Sequence, residues 1–153
     1  MSGFALPLVR FSVSQHRTII GHCYSELPNE ACGLLLGPAV GGDDLHDGEP
    51  TGAIADVVTT RNEAASARLY AIHGQDYGTA RKAARESGNR IVGCFHSHTH
   101  TDAYPSPTDV EAAIHNPNWL YAIVSLRAET PMLHVFRMQS GNIAECQVVL
   151  EAR

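Results

Sequence analysis

The sequence predicts a single α/β domain in which helices cover both faces of a central mixed sheet. The chain has 153 residues, about the size of one compact domain and too short for two ordinary ones. Its composition is 44% hydrophobic and 18% charged, which is typical of folded globular proteins. Short apolar runs typical of strands alternate with segments whose apolar residues recur at helical spacing. We therefore expect residues 1–153 to form one domain of this class.

The first third of the chain predicts a helix, a buried strand and a loop. Apolar or small residues at helical spacing predict a helix from Val13 to Glu26, with Ser12 or Ser14 as its N-cap. Residues 31–37, ACGLLLG, are a continuous apolar run bounded by glycine, which is typical of a strand buried on both faces. Gly, Pro and Asp without periodicity indicate a flexible surface loop over residues 38–52.

The rest of the chain predicts a second helix among five strands. Residues 53–60 are a strand candidate, and Gln75 to Glu86 is the second helix. Residues 91–95, IVGCF, form an apolar strand that leads directly into a group of histidines. Three further strand candidates close the domain, at residues 120–126, 132–138 and 143–150.

Charge and composition narrow the classes of partner and compartment. The formal net charge of -5 offers no basic field for a nucleic acid or an anionic membrane surface, so we expect neither as a partner. The four cysteines include no C-x-x-C pair and indicate reduced thiols. No apolar run approaches the roughly 18 residues of a membrane span, and the N-terminal stretch MSGFALPLVRF lacks a long signal-peptide core. We expect a cytoplasmic protein.

Two histidines directly follow the buried strand. Because successive side chains of a strand point to opposite faces, His96 and His98 project the same way and can bind one metal ion together. Neutral imidazole suits zinc, but a catalytic zinc site also needs a third protein ligand and an open position. A strand continued by two residues would add His100 on the same face, and Asp102 is a nearby carboxylate. Spacing alone leaves the third ligand open.

The segment after the histidines predicts the start of a helix. Ser106 occupies the N-cap position, Pro107 the first helical position and Asp109 the third. This helix start makes Asp109 a candidate third ligand that faces the end of the strand. Ser106 and Asp109 also form a capping-box-like pair, which would stabilise a helix with no metal present.

These residues together match a known motif. His96-x-His98, seven residues, Ser106, two residues and Asp109 resemble the H-x-H-x7-S-x2-D signature of the JAMM (MPN+) metalloproteases without a gap. The family also places a glutamate at the start of a buried strand. Residues 29–37, NEACGLLLG, resemble that segment.

The resemblance covers nearly the whole chain and implies a fold, a cofactor and residue roles. The implied fold is the cytidine-deaminase-like α/β/α sandwich. The implied cofactor is one catalytic zinc ion held by the two histidines and Asp109. Glu30, and not Glu26, fits the position of the general base, and Ser106 that of the hydrogen-bond donor to the tetrahedral oxyanion.

The resemblance also implies a substrate class. Residues 96–110 are similar to the bacterial branch that includes the Mec-type hydrolases of actinobacteria, which act on a cysteine adduct of the ubiquitin-like sulfur carrier CysO. We expect cleavage of an amide bond at the C-terminal Gly-Gly of such a carrier, with release of cysteine. The alternatives are a general ubiquitin-like isopeptidase and a non-catalytic MPN scaffold. The sequence leaves open which carrier is cut and whether the protein forms a homo-oligomer.

Four residues carry predictions about the surroundings of the site. Asn62 resembles the asparagine of the family's Asn-x-Ala segment, which orders a loop near the cleft, although a simple turn asparagine is the alternative. Trp119 and Tyr121 are expected in the core or an interface. Cys94 should share the face of the two histidines and pack in the core.

Overall fold

The structure is a computed structural model and describes residues 6–153, so the first five residues of the N-terminal stretch discussed above lie outside it. Within the described part, no helix has the length and apolar character that crossing a membrane requires. In chain order the elements are β1 (Val9–Ser12), α1 (Val13–Ser25), β2 (Cys32–Gly37), β3 (Ala39–Val40), β4 (Glu49–Pro50), β5 (Asp56–Thr60), α2 (Gly74–Glu86), β6 (Arg90–His98), α3 (Pro107–Ala112), a 3-10 turn (Ala113–His115), β7 (Leu120–Ser125), β8 (Met132–Gln139), β9 (Asn142–Cys146) and β10 (Val148–Glu151).

A six-stranded mixed sheet in the order β5-β2-β6-β7-β8-β9 forms the centre of the fold. The pair β6 and β7 is parallel, and the other neighbouring pairs are antiparallel. One apolar cluster joins α1 to one face of the sheet and includes Ile19, Leu35 and Phe95. A second cluster joins α2 to the other face through Ala84 and Leu34. Since both clusters share the same sheet, we propose that the chain is a single domain.

Local chemistry explains why the first helix and the first central strand form where they do. Ser12 Oγ accepts a hydrogen bond from Gln15 N at 2.9 Å, and Gln15 Oε1 accepts one from Ser12 N at 2.8 Å, which completes a capping box at the start of α1. Every residue of β2 is buried. A Cβ at Gly33 would lie 2.1 Å from the ring of Phe95, so glycine lets the neighbouring strand's aromatic ring cross β2.

The end of the chain differs from the prediction. The strand predicted over residues 143–150 is two strands, because β9 pairs with β8 only as far as Cys146. The chain then leaves the central sheet, and β10 pairs in parallel with β1, a strand that the sequence analysis did not predict. Hydrophobic periodicity indicates which residues are buried but not which strand they pair with. The sequence therefore did not indicate this break.

Residues 38–52, expected to form a surface loop, contain the short antiparallel pair of β3 and β4. Two arginines of α2 bind this segment. Arg85 forms an ion pair with Asp47 at 2.8 Å, and Arg81 donates to the carbonyl of Asp44 at 2.8 Å. These contacts attach the segment to the outer face of α2, and its flexibility stays a prediction.

Candidate metal centre

Two imidazoles and one carboxylate meet at the end of β6. His96 Nε2 lies 3.1 Å from His98 Nε2, and Asp109 Oδ2 lies 3.2 Å from the first and 3.1 Å from the second. All three side chains are buried. Their ligand atoms are close enough to one another to share a single metal ion.

The spacing and chemistry of these atoms fit zinc. Zinc in proteins is held tetrahedrally at about 2.0–2.1 Å by histidine nitrogen and carboxylate oxygen. Ligand atoms at that bond length lie roughly 3.3 Å apart in a tetrahedron, close to the distances between the three atoms here. Three protein ligands also leave the fourth position that a catalytic site requires.

The protonation states of His96 and Asp109 favour ligation. Burial lowers the pKa of His96, against the opposing hydrogen bond with Asp109, and so favours its neutral ring. Burial would raise the pKa of Asp109, but its hydrogen bonds with both histidines hold that pKa well below the usual range. A neutral imidazole and a carboxylate are the forms that bind a metal ion. Burial would lower the pKa of His98, but its hydrogen bonds with Asp109 and with the carbonyl of Asp102 raise that pKa above its ordinary value, so a metal ion would have to displace a proton from this ring.

Hydrogen bonds outside the cluster orient two of its three members. His98 Nδ1 donates to the carbonyl of Asp102 at 2.8 Å, which leaves Nε2 directed at the cluster. Asp109 Oδ2 accepts from Ser106 N at 2.9 Å, and Ser106 Oγ accepts from Asp109 N at 3.1 Å. The predicted capping box is therefore formed, and the same bonds that start α3 aim the carboxylate of Asp109 at the histidines.

The structure separates the two alternative ligands from the cluster. Strand β6 ends at His98, so the alternation that would have placed His100 on the same face does not continue. His100 is exposed. The carboxylate of Asp102 forms an ion pair with Arg127 at 2.8 Å, and only its backbone carbonyl contacts His98.

Glu30 reaches the cluster through the pairing of two neighbouring strands. Cys32 of β2 is opposite His96 of β6 in an antiparallel register. Ala31 N donates to Ser97 Oγ at 2.8 Å, and Ser97 N donates to the carbonyl of Ala31 at 3.0 Å, so the register continues beyond β2. Glu30 is therefore level with His98, and only 5% of its surface is exposed.

Burial gives Glu30 an unusual affinity for a proton. Desolvation raises the pKa of its carboxyl to about 7, with an opposing effect of the charge on His98 and a further raising effect of Asp109. A carboxyl group with a pKa near neutral can both accept and release a proton under physiological conditions.

This raised pKa predicts a pH-dependent stability of the metal-free protein. The pKa of Glu30 rises from 4.5 to about 7 on folding, so the folded state binds more protons than the unfolded state between these values. The free energy of unfolding should fall by up to about 3 kcal/mol as pH rises from 4.5 through 7. Urea unfolding across this range should show that the stability of the wild type falls more steeply with pH than that of Glu30→Gln, by the contribution of Glu30. Identical pH profiles for the two proteins would contradict the prediction.

Asn62 organises the segment that faces Glu30. Its Nδ2 donates to the carbonyls of Glu30 at 2.9 Å and Leu69 at 3.0 Å. Its Oδ1 accepts from the backbone N–H groups of Ala64 and Ala71, both at 3.0 Å. One amide thus uses all of its hydrogen-bonding capacity to tie this loop to Glu30, two residues before β2, which favours the loop-ordering role over a simple turn.

Replacing Asn62 by alanine should loosen this segment. Four hydrogen bonds are lost, each with a net contribution of about 1 kcal/mol at most in this half-exposed setting. We expect the free energy of unfolding to fall by about 2 kcal/mol in chemical denaturation. Asn89→Ala is the matched control, because the one hydrogen bond that Asn89 Nδ2 makes within residues 6–153 is to Ser87 Oγ, at 3.4 Å. Its loss should change stability by less than about 0.5 kcal/mol. Equal losses would show that Asn62 has no special role.

The remaining aromatic and cysteine predictions concern the core. Trp119 and Tyr121 are buried in the apolar cluster beneath α2, and Cys94 is buried beside them. Nothing in the sequence predicted the role of Tyr70, whose ring stacks on that of His96. A lone aromatic residue in an irregular segment has no periodicity that could have indicated this contact.

Comparison with known proteins identifies the family of this chain. Residues 12–139 match the family model described as prokaryotic homologs of the JAB domain, Prok-JAB. The chain belongs to the Prok-JAB family. The match includes Glu30, Ser106 and all three residues of the histidine and aspartate cluster. Relatives of this Prok-JAB chain include a CysO-cysteine peptidase of Mycobacterium tuberculosis, which is 30% identical over 128 residues, covering 83% of this chain and 80% of the relative.

Solved structures agree with the fold. The solution structure of a Desulfitobacterium hafniense protein superposes with a TM-score of 0.81 at 28% sequence identity, covering 95% of this chain and 94% of that one. The crystal structure of a JAB1/MPN domain protein from Archaeoglobus fulgidus gives a TM-score of 0.56 at 17% identity, covering 93% and 98%. The predicted mixed-sheet α/β fold and the predicted family are confirmed for this Prok-JAB protein.

Proposed function

We propose that this protein is a zinc-dependent hydrolase that cleaves the amide bond between the C-terminal glycine of a ubiquitin-like sulfur carrier and cysteine. One observation supports the proposal most directly. The ligand atoms of His96, His98 and Asp109 converge, and the buried Glu30 lies level with His98 on the neighbouring strand. The relative whose name is CysO-cysteine peptidase supports the choice of substrate. The family and that name together support hydrolysis as the reaction class.

The three clustered residues would hold one zinc ion. When bound there, the ion would polarise the scissile carbonyl as a Lewis acid and lower the pKa of a coordinated water from about 15.7 toward 7. Glu30 is suited to the proton transfers of the reaction. It accepts the proton of the attacking water as the new C–O bond forms and delivers it to the cysteine nitrogen as the C–N bond breaks.

Ser106 is proposed to stabilise the negative charge that develops on the carbonyl oxygen. Its Oγ already accepts a hydrogen bond from Asp109 N. A hydroxyl has one proton to donate in addition to its acceptor lone pairs, so Ser106 can cap α3 and donate to an oxyanion at the same time. Loss of a donor of this kind costs on the order of 3 kcal/mol of barrier stabilisation.

The test is incubation of the zinc-loaded protein with a ubiquitin-like carrier that ends in Gly-Gly-Cys, followed by intact-mass spectrometry. The expected result is loss of one cysteine residue from the carrier. A parallel reaction uses the same carrier linked through its C-terminal glycine to a lysine side-chain amine. Faster cleavage of the lysine conjugate would replace the proposal by a general isopeptidase, and an unchanged mass of both substrates would favour a non-catalytic scaffold.

A further inference from the structure

The two histidines of the cluster are oriented by different contacts. His98 donates from Nδ1 to a backbone carbonyl, whereas the buried Nδ1 of His96 has no hydrogen-bond partner among residues 6–153. A metal-binding histidine almost always donates its second ring N–H to an acceptor, which sets the orientation of the ring, and loss of that contact typically lowers metal affinity about 10–100-fold. Another contact must therefore orient the ring of His96.

Tyr70 provides a contact of the required kind. Its ring lies 4.1 Å from the ring of His96, centroid to centroid, with only 17° between the two planes. Its hydroxyl lies 3.7 Å from Sγ of Cys94, which occupies the same face of β6 two residues before His96. The phenol ring thus lies flat along the strand and covers one face of the imidazole.

The backbone on both sides of Tyr70 is held by Asn62. The carbonyl of Leu69 accepts from Asn62 Nδ2, and the N–H of Ala71 donates to Asn62 Oδ1. The same Nδ2 group binds the carbonyl of Glu30. One amide therefore places the residue that stacks on a ligand and the residue proposed as the general base.

We propose that Tyr70 is a positioning residue of the metal centre, which holds the imidazole of His96 by ring stacking in place of the missing hydrogen bond to Nδ1. This inference rests on the proposed metal site. Parallel stacking prevents the imidazole from tilting out of the plane in which Nε2 points at Asp109 and His98. The electron-rich ring face of Tyr70 would also stabilise the partial positive charge that a bound metal ion would induce on the imidazole of His96.

The test measures metal affinity rather than turnover. Wild type and variants are stripped of metal, and their affinities for Zn²⁺ are determined by competition with a chromophoric chelator. Tyr70→Phe, which keeps the ring, should bind within about 3-fold of wild type, whereas Tyr70→Leu should bind about 10-fold or more weakly. Tyr77→Leu is the matched control, because Tyr77 packs in the same apolar cluster and its ring contacts Trp119 rather than a histidine.

Absorption of the Co²⁺-substituted proteins gives a second readout of ligand geometry. The visible bands should change in Tyr70→Leu and stay unchanged in Tyr70→Phe and Tyr77→Leu. If Tyr70→Leu does not fold, Tyr70→Met keeps the apolar volume without a ring and should show the same weakening. Wild-type affinity and spectrum in the folded ring-free variant, or an equal loss in Tyr77→Leu, would overturn the inference. Failure of the wild type to bind metal would instead overturn the proposed function.

Discussion

Replacement of Asp109 by alanine is expected to lower the affinity for Zn²⁺ by more than about 100-fold. Loss of a residue that only orients a metal ligand already costs about 10–100-fold, and Asp109 contributes one of the three converging ligand atoms itself. The substitution also removes the acceptor of Ser106 N, so the start of α3 should fray. Metal content after gel filtration and a chelator competition would measure the effect.

Two variants provide controls that share the chemistry of the ligands. Asp102→Ala removes a nearby carboxylate that pairs with Arg127, and His100→Ala removes an exposed histidine. Both should retain Zn²⁺ affinity within a few-fold of wild type, because neither side chain belongs to the cluster. A loss in either variant comparable to that of Asp109→Ala would show that the third ligand is wrongly assigned.

Glu30→Gln is expected to slow hydrolysis of the carrier adduct by about 10²–10⁴-fold while zinc stays bound. A positioned general acid or base contributes a factor of this size, and glutamine keeps the shape of the side chain without a proton to exchange. The affinity for Zn²⁺ should change little, because Glu30 is not among the three converging residues. Single-turnover rates from intact-mass spectrometry, together with metal content, would separate the two effects.

Glu26→Gln is the matched control for the general base. Glu26 is the acidic residue at the C-terminus of α1 and lies four positions before Glu30 in the sequence. The Glu26→Gln variant should cleave the carrier adduct at the wild-type rate. If Glu30→Gln retains wild-type rates, or if it loses zinc as Asp109→Ala does, then Glu30 is not the proton carrier of this site.

Local geometry explains the part of the site that could be predicted from the sequence. Alternation along a strand places His96 and His98 on one face whatever the rest of the fold, and their Nε2 atoms indeed meet at 3.1 Å. The capping box of Ser106 and Asp109 likewise follows from helix-start chemistry and is formed. The choice of Asp109 over His100 was not local, since it depends on where β6 ends and how the chain turns back, and only the family motif selected it.

Contacts between distant segments account for what could not be predicted. Cys32 pairs with His96, and this pairing brings Glu30 to the cluster. It joins two apolar runs, and the periodicity of an apolar run does not indicate which strand it pairs with. For the same reason, the sequence did not predict that β10 leaves the central sheet to pair with β1. The ring contact of Tyr70 arises in an irregular segment, where side-chain direction follows from the tertiary structure alone. Only the family resemblance indicated the loop-ordering role of Asn62 in the same segment.

Because Glu30 and His98 are level on neighbouring strands, the distance between their side chains does not depend on the chain length between them. Insertions into residues 38–52 would lengthen the path without moving either residue. This segment follows Gly37, at the end of β2 remote from Glu30, so its length can vary without changing the geometry of the cluster. The segment from Ala64 to Ala71, whose backbone binds Asn62, cannot vary in length in the same way. A single added residue there would shift Tyr70 relative to Glu30.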